Sequence, residues 1–252
     1  MTDSGVGGRE VVVEVVGVGK DFVLRHTRSL KEALVWLVKG RRGDLSAKFK
    51  ALDDVNLEIR NGETVALMGL NGSGKSTTLK LISGVMRPDR GTVRVRGRVA
   101  GLIEVGAGFH VDLPGRDNVY LNGAILGMTQ EEIDAKFDDI LAFSEIGDFI
   151  DSEVKFYSSG MYLRLAFAVA VHTDPDVFLV DEILAVGDEP FQRKCIARIQ
   201  ELVARGKTLV VVSHDLDLVQ DICERGIVME KGRVVFDGPC RDAVTFLRDR
   251  NR

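Results

Sequence analysis

The chain carries Gly69-Leu70-Asn71-Gly72-Ser73-Gly74-Lys75-Ser76-Thr77, which matches the pattern G-x-x-x-x-G-K-S/T of a phosphate-binding loop. Glycines let such a loop turn successive backbone N–H groups toward phosphate oxygens. Lys75 adds a positive charge for the β- and γ-phosphates, and the Ser76 hydroxyl can ligate Mg²⁺. The pattern predicts a nucleotide site formed by Gly69, Asn71, Gly72, Ser73, Gly74, Lys75, Ser76 and Thr77.

The residues on both sides of this loop fit the order of strand, loop and helix that the motif requires. Residues 63–68 are mostly apolar and predict a buried strand, and residues 78–82 continue as an apolar helix. We expect this helix to begin at about Gly74, with its positive dipole end facing the anion. A chance match in a glycine-rich turn is disfavoured by this context.

Composition and length narrow the class of protein. The 252 residues can bury one large core with a subdomain, and the net charge of −4 gives no general bias toward nucleic acid. The three cysteines are widely spaced, which is typical of reduced thiols in a cytosolic protein. The N-terminus lacks the apolar core of a signal peptide, and no apolar run is long enough to span a membrane.

The apolar runs along the chain predict an α/β fold with a mainly parallel sheet, an N-terminal antiparallel β subdomain and an inserted α-helical subdomain at about 107–173. We expect a hairpin turn at Asn61-Gly62, leading into the strand before the loop. The expected strands are 11–16, 53–59, 63–68, 177–180 and 208–212, with a closing hairpin of 226–230 and 233–236.

Charged residues follow two of the predicted parallel strands. Asp181 and Glu182 end the first, and His214 follows the second. Parallel strands of one sheet end on the same edge, where ligands bind. A carboxylate there can hold Mg²⁺, which fits Asp181, and a second can activate the attacking water, which fits Glu182. His214 can contact a γ-phosphate.

The order of these motifs identifies a family. Between the phosphate loop and Asp181 lie a helical segment and Tyr157-Ser158-Ser159-Gly160-Met161, here called the signature segment, followed by an apolar helix of residues 162–172. This order resembles an ATP-binding cassette (ABC) nucleotide-binding domain over nearly the whole chain. The resemblance implies a P-loop NTPase core that binds ATP and Mg²⁺ and hydrolyses ATP.

The resemblance also implies a head-to-tail homodimer that closes around two ATP molecules. Ser158, Ser159 and Gly160 would contact the ATP of the partner, and Asp188 would cross the interface from the D-loop. Phe22 is the candidate for stacking on adenine, with Phe49 as the rival. Catalysis would rest on Glu182, His214 and Lys75.

Two departures from the usual ABC pattern point to a subgroup. The signature segment replaces the usual Leu-Ser-Gly-Gly-Gln, and Glu104 or Val105 falls near the place of the glutamine that links Mg²⁺ to the membrane interface. Ser76 and Asp181 are the candidate ligands of Mg²⁺. Whether Glu104 also binds the metal is left open. At both places the sequence resembles that of Wzt-type ATPase subunits. These subunits belong to polysaccharide exporters for O-antigen, teichoic acid and related glycans.

Residues 24–50 are predicted to form an insert that most ABC domains lack. Between Arg25 and Lys50 stand eight Lys or Arg and two acids. A basic amphipathic helix of this kind suits a membrane surface or a membrane-embedded partner, whereas a helix packed on its own domain is the alternative. The apolar positions at helical spacing are Leu30, Ala33, Leu34, Leu37 and Val38.

The resemblance thus implies an ATPase subunit on the cytoplasmic face of the inner membrane, bound to two copies of a permease, with no nucleic-acid partner. Importer or drug-exporter subunits and non-transport ABC ATPases are the alternatives. Residues 1–252 are expected to be a single ABC ATPase domain. Residues 237–252 would form a short tail with one amphipathic helix, too short for a carbohydrate-binding β-sandwich.

Overall fold

The computed structural model describes residues 9–25, 46–102, 108–181, 188–213 and 215–250, without the side chains of residues 24, 25, 46 and 47. The strands in these ranges are β1 (Val11–Arg25), β2 (Ser46–Arg60), β3 (Thr64–Met68), β4 (Arg90–Val95), β5 (Val99–Leu102), β6 (Val177–Asp181), β7 (Thr208–Val212), β8 (Arg225–Glu230) and β9 (Arg233–Pro239). The α-helices are α1 (Lys75–Ile82), α2 (Gly115–Ile125), α3 (Gln130–Ser144), α4 (Ser159–His172), α5 (Glu189–Ala204), α6 (Leu216–Ile222) and α7 (Cys240–Arg250).

An antiparallel sheet, in the order β2-β1-β4, forms the N-terminal part of the fold. Alternate residues such as Val13, Val15, Leu57 and Ile59 are buried, and the strands predicted at 11–16 and 53–59 are confirmed. Both long strands extend beyond the predicted ranges, because β1 and β2 stay paired as far as Arg25 and Ser46. Near the outer ends, the described side chains of Phe22, Val23 and residues 48–50 are exposed, so the alternation that reveals a half-buried strand is missing there.

The main sheet has the order β5-β6-β7-β3-β8-β9. Strand β3 lies between β7 and β8 and is parallel to both, and β5, β6 and β7 are also parallel neighbours. The predicted closing hairpin is confirmed as the antiparallel pair β8 and β9. The hairpin expected at Asn61-Gly62 is wrong, since this turn connects β2 and β3, which belong to different sheets.

Strand β3 is buried on both faces, and this fixes the phosphate loop that follows it. Ala66 and Met68 pack into one apolar cluster, whereas Val65 and Leu67 pack into another on the opposite face of the sheet. A strand buried on both faces shows a continuous apolar run, which is why residues 63–68 were recognisable. The loop therefore begins at a central, doubly covered strand.

Helices α2, α3 and α4 share a third apolar cluster and lie within the segment predicted as helical. Helix α4 begins three residues before the predicted position, because Ser158 accepts a hydrogen bond from the Met161 backbone N–H and serves as its N-cap. In the described ranges, no helix combines the length and apolar character needed to cross a membrane. The helix predicted near 30–39 lies outside those ranges.

Candidate nucleotide-binding site

The phosphate loop connects β3 to α1 through three glycines with positive φ. The φ angles of Gly69, Gly72 and Gly74 are 143°, 77° and 109°, and Gly74 is the N-cap residue of α1. A Cβ on Gly69 would lie 2.2 Å from the Met229 carbonyl oxygen. One on Gly74 would lie 2.6 Å from Leu52 Cδ2. The pattern G-x-x-x-x-G is thus required by backbone conformation and by packing, and the predicted helix start is confirmed.

Lys75 lies in the first turn of α1 and folds back over the loop. Its Nζ donates to the carbonyl oxygens of Gly69 at 2.9 Å and Leu70 at 3.1 Å, and the residue is only 6% exposed. The ammonium group therefore lies at the loop itself, together with the N-terminal end of α1. Both features favour an anion at this position.

Residues on the outer side of the loop remain accessible. Asn71, Gly72 and Ser76 are exposed, and Thr77 is half-buried in the first turn of α1. Ser73 is buried, and its Oγ has no hydrogen-bond partner among the described residues. The exposed Ser76 hydroxyl has the oxygen chemistry that Mg²⁺ prefers.

Asp181 lies on the same edge of the main sheet as the phosphate loop. It is the last residue of β6 and pairs with Val212, the last residue of β7, and β7 is the neighbour of β3. The carboxyl ends of these parallel strands therefore carry the phosphate loop and a carboxylate side by side. Glu182, His214 and Glu104, predicted for the same region, lie outside the described residues.

The signature segment belongs to the helical part of the chain. Ser158 and Ser159 are exposed at the N-terminus of α4, and Gly160 is half-buried. The Tyr157 hydroxyl donates to the Phe149 carbonyl oxygen at 2.6 Å. Burial raises the pKa of Tyr157 to about 12. Tyr157 thus holds the signature segment through its contact with Phe149, and the polar N-terminus of α4 stays accessible.

The two candidate aromatics for adenine stacking are cross-strand partners. Phe22 on β1 pairs with Phe49 on β2, and they are 36% and 46% exposed. Directly paired residues point to the same face of a sheet. The Lys20 ammonium lies 5.9 Å from the centroid of the Phe22 ring. Both rings therefore lie next to each other on one face of the sheet, and either could stack on adenine.

Asp188 makes an ion pair within its own chain. It occupies the N-cap position of α5, but its side chain makes no cap hydrogen bond in the described chain. Instead, one carboxylate oxygen accepts from Arg164 Nη2 at 2.6 Å. The sequence patterns did not indicate this contact, because nothing in the spacing of the two residues links them.

Sequence reasoning also missed the support beneath the phosphate loop. The Gly232 N–H donates to the Ser73 carbonyl oxygen at 2.9 Å, and the Gly232 carbonyl oxygen accepts from the Asp53 N–H at 2.8 Å. The turn between β8 and β9 thus bridges the loop and β2. Lys231-Gly232 was recognisable as a turn, but its contact with the loop is a long-range one.

The family follows from this site and from its comparison with known proteins. The profile of the family described as "ABC transporter" matches residues 52–185, which include the phosphate loop, the signature segment and Asp181. The match covers more than half of the chain. The protein belongs to the ATP-binding subunits of ABC transporters.

Curated relatives refine this class. The ABC transporter protein AbcA of Aeromonas salmonicida is 48% identical over 91% of this chain and 73% of its own length. The O-antigen export system ATP-binding protein RfbB of Myxococcus xanthus is 48% identical over 83% of this chain and 48% of its own length. The teichoic acids export ATP-binding protein TagH of Listeria monocytogenes is 41% identical over 90% of this chain and 67% of its own length.

Solved structures support the fold. A structure described as the ATP-binding subunit of an ABC transporter has a TM-score of 0.73 at 23% identity and covers 94% of each chain. The ATP-binding cassette MJ0796, a dimer in a post-hydrolysis state bound to ADP and Pi, has a TM-score of 0.71 at 25% identity. The match covers 91% of this chain and 99% of that one. The predicted α/β cassette is confirmed.

Proposed function

We propose that this chain binds and hydrolyses ATP as the energy-providing subunit of a transporter that exports a lipid-linked cell-surface polysaccharide. The observation that carries the ATPase is the position of the phosphate loop and Asp181 on one edge of the parallel sheet. The export function is supported by the relatives RfbB and TagH, which are named for O-antigen and teichoic acid export. The resemblance of the signature segment to Wzt-type subunits points the same way.

The residues at this edge have the chemistry that ATP with Mg²⁺ requires. Backbone N–H groups of the loop and Lys75 hold the phosphates, while the Ser76 hydroxyl and the Asp181 carboxylate supply hard oxygen ligands. When bound, Mg²⁺ neutralises part of the negative charge of the phosphates. Glu182 orients the attacking water and accepts its proton, and His214 donates a hydrogen bond to the γ-phosphate.

The working form of this proposal is a homodimer bound to two permease subunits at the cytoplasmic face of the inner membrane. Ser158, Ser159 and Gly160 of one subunit complete the ATP site of the other, which accounts for an accessible polar N-terminus on α4. Residues 24–50 provide the surface that docks on the permease. The basic excess in this segment suits a membrane-facing partner.

Substitution of the proposed catalytic carboxylate tests the ATPase directly. Glu182→Gln keeps the shape of the side chain and removes the base, so we expect ATP binding without turnover and an ATP-dependent dimer in light scattering. Lys75→Ala should weaken ATP binding itself. Glu58→Gln, in an exposed ion pair with Arg60, is the matched control and should hydrolyse ATP normally. Turnover at the wild-type rate in Glu182→Gln would contradict the assignment.

Depletion of the protein in its host tests the export function. If the subunit powers polysaccharide export, lipid-linked glycan should accumulate on the cytoplasmic side while surface glycan decreases. The chain with Glu182→Gln should fail to restore export, whereas the chain with Glu58→Gln should restore it. A normal amount of surface glycan after depletion would exclude this transport role without contradicting the proposed ATPase activity.

A further inference from the structure

Arg164 joins three parts of the molecule through its guanidinium group. It lies on α4, between one and two turns after Ser158, and its side chain is 21% exposed. Nη1 donates to Glu145 Oε2 at 2.9 Å, and Nη2 donates to Asp188 Oδ1 at 2.6 Å. The guanidinium carbon lies 4.8 Å from the centroid of the Phe191 ring on α5.

Both carboxylates lie where an element begins or ends. Glu145 is the C-cap residue of α3, with a φ of 56°, and Asp188 is the N-cap residue of α5. Glu145 also accepts from Lys194 Nζ at 2.8 Å. This bond, together with the charges of Lys194 and Arg164, keeps the pKa of Glu145 below its usual range. Two cations and two carboxylates therefore form one compensated network.

The geometry of Asp188 shows that Arg164 determines its orientation. An aspartate at an N-cap position normally accepts a hydrogen bond from a backbone N–H in the first turn. Asp188 makes no such bond in the described chain and is turned toward Arg164 instead. A planar guanidinium can hold two carboxylates in fixed directions, which a lysine cannot do. Arg164 thus fixes the residue that directly follows segment 182–187.

We infer that Arg164 is a positioning residue for ATP hydrolysis, and this inference rests on the proposed function. It connects the helix that begins with the signature segment to Asp188, the first described residue after the segment that contains Glu182. Its partners are Glu145, Asp188 and Phe191, none of which belongs to the phosphate loop. Loss of Arg164 should therefore disturb turnover while each phosphate loop still binds ATP.

The test compares steady-state ATPase kinetics of wild type, Arg164→Gln, Arg164→Lys and Asp188→Asn. A misplacement of about 1 Å can cost on the order of a hundredfold in rate. We therefore expect kcat of Arg164→Gln to fall by between about tenfold and a hundredfold, with KM within about twofold of wild type. Arg164→Lys should recover part of kcat, because it restores a charge without the planar fork. The double variant with Asp188→Asn should be no slower than the slower single variant.

Arg193→Gln is the matched control on the neighbouring helix. Arg193 pairs with Glu189 at 3.0 Å, and both side chains are largely exposed, at 69% and 79%. We expect its kcat to equal that of wild type. The fraction of protein that binds ATP is titrated for every variant, so that a folding defect is recognised as a loss of binding sites. Arg164→Lys keeps the test decisive if Arg164→Gln folds poorly.

The outcomes separate this inference from the proposed function. Three results would overturn the inference while leaving ATP hydrolysis intact. They are an unchanged kcat in Arg164→Gln, additive effects of Arg164→Gln and Asp188→Asn on kcat, and a change in KM without a change in kcat. A wild-type protein without ATPase activity would overturn the proposed function and the inference with it. Loss of kcat with partial rescue by lysine supports both.

Discussion

Gly115, the first residue of α2, has almost no room for a side chain. A Cβ at this position would lie 2.0 Å from the Tyr157 hydroxyl oxygen and 3.1 Å from the Ile150 carbonyl oxygen. Alanine in a helix is ordinarily more favourable than glycine by about 1 kcal/mol. The contact with Tyr157 opposes that preference at Gly115 and joins the signature segment to α2.

We therefore expect Gly115→Ala to lower the free energy of unfolding by about 1–3 kcal/mol, the usual cost of overpacking. Adding Tyr157→Phe should recover part of the loss, because it removes the nearest atom. Urea denaturation of the two single variants and the double variant measures the coupling. A stabilised Gly115→Ala protein would show that helix propensity outweighs this contact.

His172, at the C-terminus of α4, is a second residue whose surroundings make a measurable prediction. Burial lowers the pKa of His172, the positive charges of Arg198 and Lys136 act in the same direction, and Asp139 and the hydrogen bond to Ala168 oppose them. The unfolded state therefore takes up a proton at a higher pH than the folded state does. Acid shifts the equilibrium toward unfolding.

The sign of the pH dependence follows from this lowered pKa. The stability that neutral His172 provides should be fully present above about pH 6.5, the ordinary histidine value, and should decrease as the pH falls toward the folded-state pKa. His172→Gln cannot titrate, so the difference in unfolding free energy between wild type and variant isolates the effect. A wild type that gains stability relative to His172→Gln on acidification would refute this reasoning.

At the scale of elements, α3 shows how local sequence specifies a helix start. The Thr129 hydroxyl accepts from the Glu132 N–H at 3.2 Å, and the Glu132 carboxylate accepts from the Thr129 N–H at 2.8 Å. This reciprocal pair is a capping box. Glu132 also pairs with Arg98 at 3.2 Å, just before β5, so the cap attaches the helix to the main sheet.

Removal of the cap should therefore weaken this attachment. We expect Thr129→Ala to destabilise the protein by about 1 kcal/mol. Thr129→Ser keeps the hydroxyl and should stay within a few tenths of a kcal/mol of wild type. Thermal or urea unfolding of the two variants measures the difference. Equal stability of the alanine and serine variants would mean that the capping hydrogen bond contributes nothing.

Sequence patterns predicted those elements whose burial is uniform or strictly periodic. Strand β3, the phosphate loop and α1 were recognisable because a doubly buried strand and a glycine-dependent turn leave a strong local pattern. The outer ends of β1 and β2 were not, because the described side chains there, on Phe22, Val23 and residues 48–50, are exposed and show no alternation of buried and exposed positions. The assignment of β2 and β3 to different sheets depends on partners, not on the turn between them.

At the scale of the whole molecule, two segments that are distant in sequence, β2 and the turn between β8 and β9, hold the phosphate loop in place. Gly74 packs against Leu52 of β2, and the Gly232 N–H donates to the Ser73 carbonyl oxygen. A Cβ on Gly232, whose φ is 78°, would lie 2.6 Å from the Ala51 carbonyl oxygen. The loop sequence predicts an anion site, but these long-range contacts determine its shape and could not be read from the motif.

A substitution in the turn between β8 and β9 should therefore weaken ATP binding. We expect Gly232→Ala to reduce the affinity on the order of tenfold, or about 1.4 kcal/mol, in calorimetric titration. Gly206→Ala is the matched control, because its φ is 79° and a Cβ there would meet nothing within 4 Å. It should lose stability from the same backbone strain and keep its affinity. Equal affinities of the two variants would rule out support of the loop by this turn.

The central position of β3 has a consequence for biosynthesis. Its neighbour β8 consists of residues Arg225–Glu230, near the end of the described chain, and the apolar cluster on one face of the sheet includes Ala243, Val244 and Leu247 of α7. A ribosome releases these residues long after the phosphate loop, which ends at Thr77. The nascent chain therefore contains the complete phosphate-loop sequence long before the sheet that supports it can close. We expect ATP to bind only after β8 and α7 have left the ribosome and can pack against the rest of the sheet.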